Sequence, residues 1–225
     1  MQKMYKAIII GATGLCGNHC LNKILIDPDY SEVEIWVRKV TGITHPKLKE
    51  KIMDFNTIET LDNTDAQHVF CCLGTTIKKA GSQANFYKTD HDYVISAAKI
   101  AARSGAKKFL YISSIGANSK SKNFYLRTKG KVEEDLKTIC KDGLFIFRPS
   151  MLMGKRSEFR FGEQIGKGFM NVFGFLFFGK LKKYRGIEAS AVAEAMIREA
   201  KSEKTGINII ESDKIFEIVN NPEGN

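Results

Sequence analysis

The chain has 225 residues, 43% of them hydrophobic and 27% charged, which is the balance of one soluble globular domain with a proper core. Its formal net charge is +10, but lysine and arginine are spread along the chain without a recognition motif, which argues against specific nucleic-acid binding. No secretory signal, no membrane-length apolar run and no disulfide framework is visible, so we expect a cytoplasmic protein with reduced thiols and no membrane span.

Short apolar runs rich in β-branched residues alternate with amphipathic helical patterns. The predicted strands are Lys6–Ile10, Val33–Val37, His68–Cys72, Lys108–Ser113, Leu144–Arg148 and Gly206–Glu211. The predicted helices are Gly14–Ile26, Tyr87–Ser104, Tyr125–Lys141 and Ala189–Lys201. Because strands buried on both faces read as continuous apolar runs, the pattern predicts an α/β fold with a doubly wound parallel sheet in a single domain.

The first predicted strand runs directly into Gly11-Ala12-Thr13-Gly14-Leu15-Cys16-Gly17, which opens the first helix. Gly11 lets the chain turn off the strand, Gly14 lets backbone N–H groups approach a pyrophosphate, and Gly17 lets the helix pack on the sheet. The helix N-terminus offers free N–H donors and a positive dipole end to the anion. We therefore predict a Rossmann fold with dinucleotide contacts from Gly11, Thr13, Gly14, Leu15 and Gly17.

Cys16 and Cys20 lie four residues apart within this first helix. No second pair of ligands follows them, so we interpret both as small core residues and expect no metal site.

The end of the second predicted strand indicates which dinucleotide is bound. An NAD site usually places a carboxylate there for the ribose 2′-hydroxyl, whereas this chain has Arg38 and Lys39. A guanidinium can form charge-assisted bonds to a 2′-phosphate, so we expect NADP(H) in preference to NAD(H). Asp54, farther along, is a candidate partner for the adenine amino group.

Three residues form a candidate catalytic set. Ser114 lies at the end of a predicted strand, Tyr125 follows eleven residues later, and Lys129 lies four beyond Tyr125. Side chains at i and i+4 share one helix face, and an ammonium beside a phenol favours the phenolate. Such a tyrosine can exchange a proton with a carbonyl or alcohol oxygen that Ser114 holds by a hydrogen bond.

The pattern loosens after Pro149, and residues 150–188 are predicted to form a small C-terminal insertion on the substrate side, beyond the carboxyl ends of the strands. The aromatic run from Phe173 to Phe178 is interpreted as a helix packed over the sheet. The alternative for this run is a membrane-surface or partner-binding patch.

The glycine turn together with Ser114, Tyr125 and Lys129 resembles the short-chain dehydrogenase/reductase superfamily. Further segments resemble its atypical Tat-interacting oxidoreductase-like branch: Phe70-Cys71-Cys72-Leu73-Gly74-Thr75-Thr76, Lys79-Ala80-Gly81, Asp92-Tyr93-Val94, Asn123-Phe124-Tyr125 with Lys129-Gly130, Phe147-Arg148-Pro149 and Ile210-Glu211. The likeness covers nearly the whole chain.

This resemblance implies roles for individual residues. It makes Tyr125 the acid/base, assigns Lys129 to the nicotinamide ribose and Ser114 to the substrate oxygen, and implies NADPH as the cofactor. It also places Leu73 and Gly74 along the cofactor, and residues from Pro149 to Leu152 near the nicotinamide.

Three functions are compatible with these features. The leading hypothesis is an NADPH-dependent oxidoreductase that acts on a small carbonyl or alcohol, as a monomer or a homodimer. The alternative is an NADP(H)-responsive binding protein. A nucleotide-sugar epimerase or dehydratase shares the same three catalytic residues but needs a larger C-terminal lobe than the 77 residues that follow Arg148 here can form.

Overall fold

A computed structural model describes residues 4–154 and 186–221. Seven parallel strands form its main sheet, in the order β3-β2-β1-β4-β5-β6-β9. These strands are β1 (Tyr5–Ile10), β2 (Tyr30–Val37), β3 (Leu48–Ile52), β4 (His68–Cys71), β5 (Lys108–Ile112), β6 (Gly143–Arg148) and β9 (Gly206–Glu211). The order reverses after β3, as a doubly wound sheet requires, so the predicted Rossmann architecture is confirmed.

Helices cover both faces of the sheet. They are α1 (Leu15–Ile26), α2 (Ile77–Ala80), α3 (Gln83–Tyr87), α4 (Tyr93–Arg103), α5 (Phe124–Ile139), α6 (Ala189–Lys201) and α7 (Ser212–Asn220), with a 3-10 helix at Phe55–Thr60. A π-helical turn, Lys88–Asp92, joins α3 to α4. A second, two-stranded sheet pairs β7 (Leu152–Met153) with β8 (Ile187–Glu188).

Alternate residues of the central strands supply two separate cores. Ile9 and Phe70 face the core beneath α1 and α6, whereas Ile8 and Val69 face the core beneath α4 and α5. Burial on both faces explains why these strands are continuously apolar in the sequence. Trp36, near the end of β2, is also buried, and its indole N–H donates to Glu34 Oε1 at 2.6 Å.

The six predicted strands and four predicted helices are confirmed, with ends that differ by a few residues. The structure adds β3, the π-helical turn, α7 and several short elements that the pattern did not predict. The predictions for the run from Phe173 to Phe178, and for most of residues 150–188, lie outside the described residues. No helix within the described part of the chain is long and apolar enough to cross a membrane.

Candidate functional site

The carboxyl ends of the parallel strands meet at one edge of the sheet, where the loops that follow β1, β4, β5 and β6 approach one another. The N–H of Cys72, just after β4, donates to the carbonyl of Ile10 at 2.8 Å. The N–H of Ile115, after β5, donates to the carbonyl of Pro149 at 3.0 Å, after β6. This edge therefore brings together segments that lie far apart in the sequence, including nearly all of the predicted site residues.

The glycine turn is packed so tightly that side chains do not fit at two of its positions. Gly11 has a φ of +83°, and a Cβ built on it would lie 2.7 Å from the carbonyl oxygen of Cys72. A Cβ on Gly17 would lie 2.1 Å from the carbonyl oxygen of Gly11. Gly14 is the N-cap of α1, and the N–H of Gly14 donates to the carbonyl of Gly11 at 2.9 Å. The packing of the turn itself therefore requires glycine at positions 11 and 17.

The structure also shows the surroundings of the turn, and the first of them suits an anion. The described first turn of α1 carries no acidic side chain, so the positive end of the helix dipole is not neutralised. Thr13 is exposed at the tip of the turn. Leu15 is half-buried and lies next to Gly154, which directly follows β7. A Cβ built on Gly154 would lie 3.0 Å from Leu15 Cδ1.

Arg38 and Lys39 follow β2 and are both exposed. Asp54 is brought close to them because the N–H of Met53 donates to the carbonyl of Val37 at 2.9 Å. The Asp54 carboxylate caps the 3-10 helix by accepting from the backbone N–H of Asn56 at 2.9 Å. The roles of these residues at the 2′-phosphate and the adenine stay predictions.

Lys129 is buried at the centre of the site, 3% exposed, with its ammonium among oxygen atoms. Its Nζ lies 3.1 Å from Asp90 Oδ1 in an ion pair, and it donates to the Tyr111 hydroxyl at 3.1 Å. Tyr125 lies one turn earlier on α5, half-buried, with its ring centroid 5.8 Å from that of Phe86. The helix spacing therefore places the predicted tyrosine and lysine at the same edge as the glycine turn.

The surroundings of Lys129 keep it charged. Burial by itself would lower the pKa of Lys129, but Tyr111, Asp90 and Tyr125 together raise it well above its ordinary value. Burial likewise raises the pKa of Tyr111 far above its usual range, so this phenol is neutral near pH 7. The carboxylate of Asp90 is therefore the charge that balances the ammonium.

Asp90 is the residue of the site that the sequence analysis missed. It lies in the π-helical turn, is fully buried, and accepts a hydrogen bond at Oδ2 from the N–H of Thr75 at 2.8 Å. One signal was available, because Phe86, Asp90 and Val94 recur every four residues on a buried face. An aspartate on such a face needs a partner, since a buried carboxylate without one is costly.

Two serines follow β5, and they have different surroundings. Ser114, the predicted catalytic residue, is buried and donates to the carbonyl of Ile115 at 3.3 Å. Ser113 instead donates to Glu133 Oε1 at 2.5 Å. The catalytic role of Ser114 stays a prediction.

The remaining predicted cofactor residues lie in or near the loops at the same edge of the main sheet. Leu73 and Gly74 follow β4 and are half-buried, and a Cβ on Gly74 would lie 3.5 Å from Asp90 Oδ1. Pro149 is buried after β6, and Leu152 is half-buried in β7. Gly74 is therefore adjacent to the ion pair, and Leu73 is adjacent to the glycine turn, where its N lies 3.0 Å from a Cβ built on Gly11.

A buried charge network fixes α5 against the sheet. Arg148 donates to both oxygens of Glu133, at 3.0 and 2.5 Å, and to Glu211 at 2.9 Å. The hydrogen bonds to Glu133 raise the pKa of Arg148, and Glu211 raises it further. Burial acts in the opposite direction but is outweighed. The network joins the ends of β6 and β9 to the helix that carries Tyr125 and Lys129.

The cysteines belong to the core. All five are buried, and Cys16 and Cys20 pack in the core beneath α1 and α6. Within residues 4–154 and 186–221, no group of three or more His, Cys, Asp or Glu side chains could hold a metal ion.

Known proteins resemble this chain in sequence over most of its length. The profile of the NAD dependent epimerase/dehydratase family matches residues 7–214. The chain is similar to protein HTATIP2 of Rattus norvegicus, with 36% identity over 72% of this chain and 68% of the relative. It is also similar to the mitochondrial protein FMP52 of Candida glabrata, with 30% identity over 97% of both chains.

Solved structures share the fold at much lower identity. MoeE5 in complex with UDP-glucose and NAD superposes with a TM-score of 0.66 at 13% identity, over 97% of this chain and 82% of that one. ADP-L-glycero-D-manno-heptose-6-epimerase of Helicobacter pylori superposes with a TM-score of 0.65 at 16% identity, over 100% of this chain and 84% of that one.

Proposed function

The chain belongs to the NAD dependent epimerase/dehydratase family and is similar to HTATIP2 and to fungal FMP52 proteins, and from that premise we propose that it is an NADP(H)-dependent oxidoreductase. The proposed reaction transfers hydride to or from a small carbonyl or alcohol. The observation that carries this proposal is the buried, charged Lys129, one helical turn from Tyr125 and at the same sheet edge as the glycine turn. The family membership supports the resemblance found in the sequence.

The residues present fit a phosphorylated dinucleotide. Gly11 and Gly17 let the turn close tightly before α1, because a Cβ at either position would strike a carbonyl oxygen of the chain itself. The first turn of α1 carries no acidic side chain that would oppose an anion. The N-terminus of α1 would bind the pyrophosphate, and Arg38 with Lys39 would bind the 2′-phosphate. Lys129 would bind the nicotinamide ribose. When bound, NADPH supplies the hydride.

The proton chemistry follows from the side chains of this chain. As the carbonyl carbon gains hydride, the carbonyl oxygen takes the proton of the Tyr125 phenol, so the products are an alcohol and a Tyr125 phenolate. The ammonium of Lys129 stabilises that phenolate, and Ser114 donates a hydrogen bond that orients the substrate oxygen. Alcohol oxidation uses the same groups in reverse.

The cellular location remains a separate proposal. The relative FMP52 of Candida glabrata is named as a mitochondrial protein. We retain the cytoplasm as the expected location of this protein, and immunodetection in fractionated cells would test it.

Replacement of Tyr125 by phenylalanine tests the proposed chemistry. NADPH oxidation is followed with a panel of aldehydes, ketones and quinones, and cofactor binding is measured by calorimetry. Because Tyr125→Phe removes the transferred proton and leaves the ring, we expect at least about a hundredfold loss of turnover. The affinity for NADPH is expected to stay within about twofold.

Tyr87→Phe is the matched control, because Tyr87 stacks on His91 outside the proposed machinery. Wild-type turnover by Tyr125→Phe would contradict the mechanism. NADPH binding without turnover of any probe would contradict the enzyme proposal and favour a cofactor-responsive binding protein.

A further inference from the structure

The ion pair between Asp90 and Lys129 joins two structural units of the site. Lys129 lies on α5, whereas Asp90 lies in the π-helical turn before α4. Both side chains are at most 4% exposed. Asp90 uses its second oxygen to hold the N–H of Thr75, which belongs to the loop after β4 that also contains Leu73 and Gly74.

We propose that Asp90 is a positioning residue, the counter-ion that sets the charge and place of Lys129 and fixes the loop of residues 73–76 against the nicotinamide half of the cofactor. This inference rests on the proposed function, because it assigns Lys129 and the loop to that half. Asp90 itself touches neither hydride donor nor substrate. Its effect passes through Lys129 and Thr75.

Among the described groups around Lys129, only Asp90 can serve as the counter-ion of its ammonium. The described titratable groups facing the ammonium are Asp90, Tyr111, Tyr125 and Cys71. Burial raises the pKa of Tyr111 and raises that of Cys71 to about 12, so both are neutral near pH 7. Asp90 Oδ1 accepts no hydrogen bond from another residue in the described ranges, so it is free to act as a charge.

The charge of Asp90 also affects Tyr125. A lone ammonium beside the phenol would strongly favour phenolate, whereas a carboxylate 3.1 Å from the ammonium partly cancels that field. The pair would therefore hold Tyr125 ready to release its proton without leaving it ionised. Tyr125 interacts electrostatically with Lys129, so removal of the Asp90 charge is expected to make the Tyr125 phenolate easier to form.

The π-helical turn explains how Asp90 reaches both Lys129 and Thr75. An extra residue in one helical turn displaces the side chains that follow, and such turns occur often at functional sites. Here the turn places Asp90 against both Lys129 and Thr75, at 3.1 and 2.8 Å.

Asp90→Asn tests the proposal with little change of shape, because the amide can still accept from Thr75. Calorimetry measures binding of NADPH and of adenosine 2′,5′-bisphosphate, which lacks the nicotinamide half. We expect about tenfold weaker binding of NADPH and less than about twofold change for the bisphosphate. Equal losses for both, or no loss for NADPH, would overturn the proposal, because a general structural effect would not distinguish them.

Asp92→Asn is the matched control, since Asp92 is an exposed carboxylate two residues away that pairs with His91. It removes the same charge and should leave both affinities within about twofold. The pH dependence of the turnover rate is measured with a carbonyl probe. In Asp90→Asn the fall in rate at alkaline pH should begin about one pH unit lower than in the wild type. A fall that begins at the same pH or higher would overturn the proposal. The two binding measurements need no turnover and do not depend on the outcome of Tyr125→Phe, so the two proposals can fail separately.

Wild-type protein provides a measurement if Asp90→Asn does not fold. Lysine side-chain ¹⁵N NMR, assigned with Lys129→Arg, follows the ammonium of Lys129 directly. An ordinary lysine is half deprotonated near pH 10.4, whereas Lys129 paired with Asp90 should remain charged there. Loss of its ammonium signal at lower pH would overturn the counter-ion role.

Discussion

Arg38 and Lys39 stand exposed where a carboxylate would accept the ribose 2′-hydroxyl of NAD. The nearest acidic side chain of β2, Glu34, is already bonded to the indole of Trp36 at 2.6 Å. Asp54 lies beside them but uses its carboxylate to cap the 3-10 helix. These residues support the proposal that an anionic 2′ substituent is bound at this corner in preference to a hydroxyl.

Arg38→Ala should weaken NADPH binding about tenfold to a hundredfold, because a charge-assisted bond to the 2′-phosphate is lost. NADH binding should change by less than about threefold. Calorimetry with both cofactors measures the ratio. Lys49→Ala is the control, since Lys49 lies on the neighbouring strand at the opposite end of the sheet, paired with Glu32. An equal loss for NADPH and NADH would contradict the predicted 2′-phosphate contact.

Individual site residues were predictable where a local rule exists. The glycine turn and the spacing of Tyr125 and Lys129 are local signals, and the structure places all of them at one edge. The helical spacing marks Asp90 as buried, but no local signal identifies the partners of Asp90 and Glu133, which lie 39 and 15 residues away in the sequence. Only the folded chain shows which charges they balance.

Among the elements, α5 carries the proposed chemistry and is held by more than apolar packing. Glu133 on its buried face is 2% exposed and binds Arg148 with both oxygens. Ser113 adds a third hydrogen bond to the same carboxylate. A displacement of α5 along the sheet would break all of them together, so the network fixes the position of Tyr125 and Lys129.

Glu133→Gln should lower the free energy of unfolding by about 3 to 5 kcal/mol, because it leaves the guanidinium of Arg148 without its buried counter-charge. Glu211 would remain as a partial partner, which favours the lower end of that range. Urea unfolding measures the change. Glu134→Gln, the adjacent exposed position on the same helix, should change stability by less than about 1 kcal/mol. Equal effects of the two substitutions would contradict the structural role of the network.

The elements that escaped prediction also have physical reasons. β3 (Leu48–Ile52) reads Leu-Lys-Glu-Lys-Ile and lies at the edge of the sheet, where charged side chains are favoured and apolar alternation is weak. α7 (Ser212–Asn220) begins immediately after β9 without a glycine or proline to mark the boundary. By contrast, the central strands are buried on both faces, so their apolar runs were readily recognised.

At the scale of the whole molecule, the two cores contain groups that stay neutral because they are buried. Burial raises the pKa of the Cys71 thiol and of the Cys140 thiol to about 12. In the unfolded chain both thiols would ionise near pH 8.5. The folded state therefore binds more protons than the unfolded state between those values, and its stability falls as the pH rises.

Urea unfolding at pH 7.5 and at pH 10 should reveal this loss. Each of the two thiols contributes about 2 kcal/mol of destabilisation at pH 10, in addition to that from other buried acids. Cys140→Ala should reduce the difference between the two pH values by about that amount, whatever it does to stability at pH 7.5. Equal free energies of unfolding at both pH values would contradict the burial of these thiols.

Trp36 gives the molecule a property that none of these experiments uses. It is the single tryptophan of the chain, it is 2% exposed, and it lies two residues before Arg38. Its ultraviolet emission therefore originates from one site, shielded from water, at the edge of the sheet where the cofactor is proposed to bind. A reduced nicotinamide absorbs in the range where indole emits, so quenching of this emission would report occupancy of the cleft in the unlabelled wild-type protein.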